Sequence, residues 1–231
     1  MIYRINKSTL AQTCDYVKPN NKLQKLQHSL NIKYGNFIEE YDEQLLSIKH
    51  LTGNEKVLEI GGNIGRNSLI IASLLNDDSN LLVLESDAES SIKLKENRDN
   101  NNFKFHIEPS ALSLRNLYQK GWACIESDKE IEGYKKVNII SLIEIRNKYK
   151  IDFDTLILDC EGAFYFILKD MPDILNNIKL IIVENDYTDP NHKGYVDNIL
   201  LKNNFNVVDS VRGGFGVFYN NFYEVWKKTI N

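Results

Sequence analysis

Five short apolar runs, KVLEI (56–60), LLVLE (81–85), FKFHIEP (103–109), FDTLILD (153–159) and KLIIVEN (179–185), alternate with stretches of helical character. Strands that are apolar almost throughout have no face to offer water. Their alternation with helices therefore calls for a parallel sheet covered on both sides. Helices are predicted over 65–76, 87–99, 141–149, 162–176 and 193–203. FNVVDSV (205–211) reads as a further strand, and 215–228 as one long or two short strands. No helix separates these last segments, so the sheet should end with an antiparallel strand. The stretch 113–140 reads as irregular with short strands, and the Asn-rich tract 97–102 as a surface turn.

Ahead of this series, residues 1–35 are polar and weakly periodic, whereas FIEEYDEQLLSIKHL (37–51) repeats its apolar residues at helical spacing. The expected organisation is an N-terminal helical lead-in or lid over 1–54, with Gly53 as the helix C-cap, followed by one domain over 55–231. The lead-in helix would shield a bound cofactor or make a dimer contact. Lys and Arg number 28 against 32 for Asp and Glu, a net charge of −4 that argues against a dedicated nucleic-acid binder. The three cysteines, Cys14, Cys124 and Cys160, are widely spaced and build neither a disulfide framework nor a zinc motif. With no apolar signal segment and no membrane-length apolar run, the expected location is cytoplasmic.

The sequence VLEIGGNIGRNS (57–68) runs from a strand through Gly61, Gly62 and Gly65 into a helix. A glycine-rich turn at that place lets backbone approach a ligand at the carboxyl end of a strand. A dinucleotide fingerprint would need glycine at position 60, where Ile60 stands. Glu59 would also repel a pyrophosphate, which argues against a nicotinamide oxidoreductase. A ligand with cationic and hydroxyl groups and no phosphate fits better, and S-adenosylmethionine is one. Glu85, at the end of the second strand, suits the two ribose hydroxyls. Neither a P-loop lysine motif nor a GxSxG elbow is present, which removes the obvious NTPase and hydrolase readings.

On the acceptor side, LILDCEG (156–162) carries Asp159 and Glu161, and LIIVEND (180–186) carries Glu184, Asn185 and Asp186. A carboxylate at that sheet edge can accept a proton from a hydroxyl as a methyl group transfers, or orient the hydroxyl for attack. No metal is expected; a divalent cation, if bound, would be held by Asp159 with Glu184 and Asn185 or Asp186. Trp122, Tyr165, Tyr187 and Phe215 are candidates for an acceptor pocket, and His192 for a base, although core packing is the commoner role for most such aromatics and plain solvation for a loop histidine.

Together these residues resemble the FkbM family of S-adenosylmethionine-dependent methyltransferases. The family's first motif, an acid followed by Gly-Ala-Asn-x-Gly, is similar to Glu59-Ile60-Gly61-Gly62-Asn63-Ile64-Gly65, with Gly62 in the place of Ala. Its Ala-Leu-Ser element resembles Ala111-Leu112-Ser113, and its Asp-x-Glu-Gly-Ala-Glu motif resembles Asp159 to Phe164, with Phe164 replacing the last acid. The resemblance covers residues 55–228. The region after residue 35, with the Asn, Ile and Lys bias, also resembles members encoded by large DNA viruses, which would place the protein in the host cytoplasm.

The resemblance implies a class I methyltransferase (Rossmann-like) α/β three-layer sandwich, its seven-stranded, mostly parallel sheet ending in an antiparallel strand. It implies O-methylation of a sugar, glycan or small-molecule hydroxyl. The cofactor would be held by Glu59, Gly61, Gly62, Asn63, Gly65, Asn67, Glu85, Ser86, Asp87, Ser110, Ala111 and Asp159. Asp159, Glu161 and Glu184 would be the catalytic set. DNA is not an expected partner, because the four prolines build no base-stacking Pro-Pro-aromatic motif. RNA ribose methylation and a catalytically silent S-adenosylmethionine-binding scaffold are the alternatives.

Overall fold

The structure, a computed structural model, describes residues 21–214 and 216–229. Cys14, Phe215 and the first part of the lead-in lie outside the described residues. In chain order the elements are α1 (Asn21–Ser29), α2 (Tyr41–His50), β1 (Val57–Ile60), α3 (Arg66–Leu74), β2 (Leu81–Leu84), α4 (Ala88–Asn100), β3 (His106–Glu108), β4 (Ala111–Leu112), β5 (Leu117–Lys120), β6 (Ala123–Glu126), β7 (Lys135–Lys136), β8 (Ile139–Ile140), α5 (Leu142–Tyr149), β9 (Thr155–Leu158), α6 (Phe164–Asp170), β10 (Leu180–Glu184), α7 (Pro190–Lys202), β11 (Phe205–Val211) and β12 (Tyr223–Lys228).

Seven strands form the main sheet in the order β11-β12-β10-β9-β1-β2-β3. All pairs are parallel except those of β12, which runs antiparallel to both β10 and β11. The antiparallel strand expected near the chain's end is therefore present, inserted one place inside the edge. The pleat sends alternate residues to opposite faces. Leu58, Ile60, Leu82 and Leu84 pack with Ile145 of α5, Phe164 of α6 and Leu200 of α7. Val57, Leu81, Val83 and Ile157 pack with Leu46 of α2, Leu69 of α3 and Leu94 of α4. Helices thus cover both faces, and α1 adds an outer contact through Leu23, which meets Ile48 and Ile70.

Several elements differ from the sequence-based expectation. Among the described residues of the stretch 215–228 only Tyr223–Lys228 is strand, with a short 3₁₀ turn at Tyr219–Asn221 before it. The strand expected over 103–109 pairs only at His106–Glu108. Pro172 ends α6, because it cannot donate into the preceding turn, and the chain continues as a 3₁₀ turn over Pro172–Leu175. Helix α7 begins three residues early: Asp189 accepts from the Asn191 N–H as a cap, and Pro190 fits the first turn. Helix α2 begins only at Tyr41 and ends on Leu51, so Gly53 turns the following loop instead of capping the helix. The irregular region contains a three-stranded antiparallel flap, β6-β5-β7, and a short parallel pair, β4-β8.

Asn97 is the clearest reversal. It is fully buried on α4, not in a surface turn. Its Oδ1 accepts from the N–H groups of Lys33 and Tyr34, and its Nδ2 donates to the Ile64 and Tyr34 carbonyls. One side chain thus ties the segment before α2 to the glycine-rich loop. Asn97→Ala strips partners from four backbone groups, the buried Ile64 carbonyl among them, and is expected to cost about 2–3 kcal/mol, read as a lower midpoint in urea unfolding.

Candidate active site

Strand β1 lies between β2 and β9, so the strand order reverses direction of growth there, and a crevice opens at the carboxyl ends. A cleft of about 480 Å³ occupies it, lined among others by Gly61, Asn63, Glu85, Ser110, Asp159 and Glu184. That volume suits a ligand of cofactor size.

The glycine-rich loop is shaped by close approach. The N–H groups of Gly61 and Gly62 both donate to the Leu84 carbonyl. Gly61 has φ +93°, and a Cβ there would lie 1.5 Å from the Asp159 carbonyl oxygen. At Gly62, where the motif resemblance called for Ala, a Cβ would lie 2.1 Å from Val83 Cγ1. An Ala methyl would therefore have no room at position 62 unless Val83 moved. Gly65 has φ +93° and stands at the start of α3.

Glu85 follows β2 and is 7% exposed. Its two carboxylate oxygens accept from the N–H groups of Asn63 and Asp87, each at 2.7 Å. Burial pushes its pKa up to about 7 against the lowering effect of these two bonds. Each oxygen keeps acceptor capacity toward the cleft.

Other expected cofactor residues take different positions. Glu59 is sealed off on the opposite side of β1 from the cleft-facing Ile60. It accepts from Ser68 Oγ at 2.5 Å, and burial raises its pKa to about 8. Asp87 caps α4 by accepting from the Ser90 N–H. Asn67 is buried, with Oδ1 accepting from Ser47 Oγ and Nδ2 lacking a partner. Ser86 lines the cleft and donates to Gln119 Oε1 of the flap. Ser110 and Ala111 line it too, with Ser110 Oγ bonded to Glu108.

On the acceptor side Asp159, Glu161 and Glu184 all border the cleft. Burial, then the neighbouring Glu184, holds the Asp159 carboxyl well above its usual range. Burial, then Glu161, raises Glu184 to about 7. Asn185 points elsewhere: its Nδ2 donates to the Asn221 carbonyl at 2.7 Å, which removes it from the expected cation set. Phe164, at the motif position of an acid, is fully buried in the core. Trp122 of the flap and Phe166 of α6 reach the cleft, whereas Tyr165 and Tyr187 do not. His192 stacks on Tyr165 with ring centroids 3.7 Å apart.

The sequence reading missed what the lead-in helix contributes. Glu40, at φ 60°, precedes α2 and accepts from Arg66 Nη1, Asn63 Nδ2 and the Asn67 N–H. Glu43, one turn on, is 3% exposed, and its carboxyl reaches Asp159 and Glu184. Acids in a first helical turn ordinarily serve the helix dipole, so their type gave no warning. The one available signal was the stripe Glu40, Glu43, Ser47, at helical spacing beside the apolar residues. The cleft's two arginines are engaged: Arg66 with Glu39 and Glu40, and Arg115 with Asp170 and Glu126.

No protein-family profile matches the chain, and no curated protein matches it. Solved structures do. An O-methyltransferase from Bacillus cereus in complex with SAH is 16% identical, with TM-score 0.52, over 93% of this chain and 94% of that one. The O-methyltransferase TomG of tomaymycin synthesis from Streptomyces achromogenes, in complex with SAM, is 14% identical, with TM-score 0.52, over 93% and 92%. The ribosomal protein L11 methylase from Lactobacillus delbrueckii subsp. bulgaricus is 12% identical, with TM-score 0.51, over 83% and 80%. The chain has the Rossmann-like fold of the S-adenosylmethionine-dependent methyltransferases. No helix among the described residues is long and apolar enough to cross a membrane.

Proposed function

We propose that the chain is an S-adenosylmethionine-dependent O-methyltransferase of the FkbM type, acting in the cytoplasm on a hydroxyl of a sugar, glycan or small molecule. The observation that carries this reading is Glu85, a cleft-lining carboxylate at the end of β2 with acceptor capacity left over. Two adjacent ribose hydroxyls match it. The rest of the donor set fits a cationic cofactor. Carboxylates outnumber cations among the charged lining residues, and both cleft arginines are held by carboxylates, so a pyrophosphate finds no free cation among the described lining residues. The same shortage disfavours RNA ribose methylation, since phosphates dominate RNA affinity.

The cofactor supplies an electrophilic methyl group. Gly61 and Asn63 would frame its amino-acid end, Glu85 would accept from the ribose, and Ser110 and Ala111 would border the base. Glu161 and Asp159 would face the acceptor, one orienting its hydroxyl and one receiving the proton, with Glu184 beside them. Trp122 and Phe166 offer aromatic faces to a sugar ring or a flat scaffold.

The test is calorimetric titration with SAH, S-adenosylmethionine and NAD. The first two bind and NAD does not. Glu85→Ala loses hydrogen bonds to a charged group and weakens SAH by about a hundredfold. An unchanged affinity in that variant overturns the reading. Once an acceptor turns over, Glu161→Gln keeps SAH affinity and loses most turnover; a silent scaffold shows no turnover in either chain.

A further inference from the structure

Two adjacent carboxylates of the segment before α2 reach one guanidinium at the cleft wall. Arg66 Nη1 donates to Glu40 Oε1 at 2.8 Å, and Arg66 Nη2 pairs with Glu39. Neighbouring residues of a helix or a strand point their side chains apart. These two converge because Glu40 is left-handed, at φ 60° and ψ 23°. A glutamate rarely takes that conformation, and such strain persists only where the surroundings enforce it.

The two carboxylates are held unequally. The Glu40 side chain is 13% exposed and also accepts from Asn63 Nδ2 and the Asn67 N–H. The Glu39 side chain is 65% exposed, and its carboxylate pairs with Arg66 alone. An exposed ion pair is weak, because water and side-chain entropy compete with it. Arg66 itself is 10% exposed and fixed from behind, with Nε donating to the Asn36 carbonyl at 3.0 Å. The guanidinium is therefore held firmly on Nε and Nη1 and loosely on Nη2. Asn63 joins this arrangement to the expected ribose seat: its N–H donates to Glu85 and its side chain to Glu40. Glu39, Glu40, Asn63 and Arg66 all line the cleft. The other lining arginine, Arg115, is clasped by Asp170 through Nε and Nη2 and lies over the Phe166 ring, on the acceptor side.

We infer that Arg66 is the seat of the cofactor's α-carboxylate and that Glu39 is an internal competitor for it, with Glu40 beside them to receive the ammonium. The inference rests on the S-adenosylmethionine reading. A carboxylate entering an acid-rich cleft needs a cation, and Arg66 is the lining cation next to the glycine loop. Nη2 can exchange Glu39 for the incoming carboxylate, one anion for another, and Glu39 swings into water. Glu40 stays in place, keeps the guanidinium aimed and faces the positive end of the same amino-acid group. The pair therefore selects a zwitterion. A pyrophosphate would bring a second negative charge against Glu40 with no ammonium to offset it.

The experiment is a calorimetric titration of the full chain with SAH and with 5′-methylthioadenosine, which keeps the nucleoside and the sulfur but lacks the amino-acid end. Wild type is expected to bind SAH at least about tenfold more tightly than the shorter ligand. Glu39→Gln tightens SAH by about threefold, leaves 5′-methylthioadenosine unchanged and melts with the wild type, as an exposed substitution should. Arg66→Gln weakens SAH by at least about tenfold and leaves the shorter ligand unchanged. Equal or weaker SAH binding in Glu39→Gln overturns the proposal, and so does an equal loss of both ligands in Arg66→Gln. If wild type binds both ligands equally, only the carboxylate seat fails. If it binds neither, the cofactor reading fails and the seat with it.

Discussion

The Gly61→Ala chain melts roughly 8–16 °C below the wild type, equivalent to about 4 kcal/mol in a protein of this size. Two penalties add. A Cβ at position 61 would lie 1.5 Å from the Asp159 carbonyl oxygen, and backbone from an adjacent parallel strand cannot swing aside as a flexible side chain can. The residue also sits at φ +93°, where any L side chain is strained. Gly121→Ala separates the two effects. It shares the positive φ, at +58°, but nothing lies within 4 Å of its added carbon, so it should cost only about 1 kcal/mol. Equal melting temperatures for the two variants would show that β1 and β9 part easily, and that the crevice is soft.

Glu59 gives the second large effect, through pH. Its carboxyl titrates near 4.5 when unfolded and at about 8 when folded. Between those values the folded chain binds the extra proton, so stability falls as pH rises through that window and is highest at its acid end. The full difference amounts to about 5 kcal/mol as an upper figure. Glu59→Gln keeps an acceptor for Ser68 Oγ and has no proton to lose. Melting curves from pH 5 to pH 9 should therefore fall less steeply in the variant, which becomes the more stable chain above pH 8. Parallel curves would mean that Glu59 is ionised inside the fold, with a counter-charge the geometry does not show.

The parallel sheet was readable because its strands are buried on both faces and therefore apolar without interruption. Glu85 was readable for a related reason: an acid that ends an apolar run stands out. The flap β6-β5-β7 was harder, since its strands alternate weakly and β6 is exposed along its whole length. Glu59 shows another limit. It stands at the end of an apolar run as read from the sequence, but the pleat turns it away from the cleft toward Ser68. Asn185 likewise has a metal-ligand side chain at a plausible spacing, and a carbonyl 36 positions further along the chain claims it. Glu43 was invisible because sequence periodicity assigns a helix a dry face and a wet face, while α2 buries Glu43, Gln44 and Ser47 together with Leu46 and Ile48.

The cleft draws its walls from distant parts of the polypeptide: Glu40 on one side, Tyr223 on another, and the glycine loop between them. A ribosome must therefore deliver more than 180 residues after Glu40 before the final wall can be set in place. Until β12 slots between β10 and β11, β11 stands apart from the five-stranded sheet β10-β9-β1-β2-β3 and the cleft lacks its Tyr223 wall. Closure of the cleft thus waits on β12, which acts as a keystone for that wall as well as for the sheet.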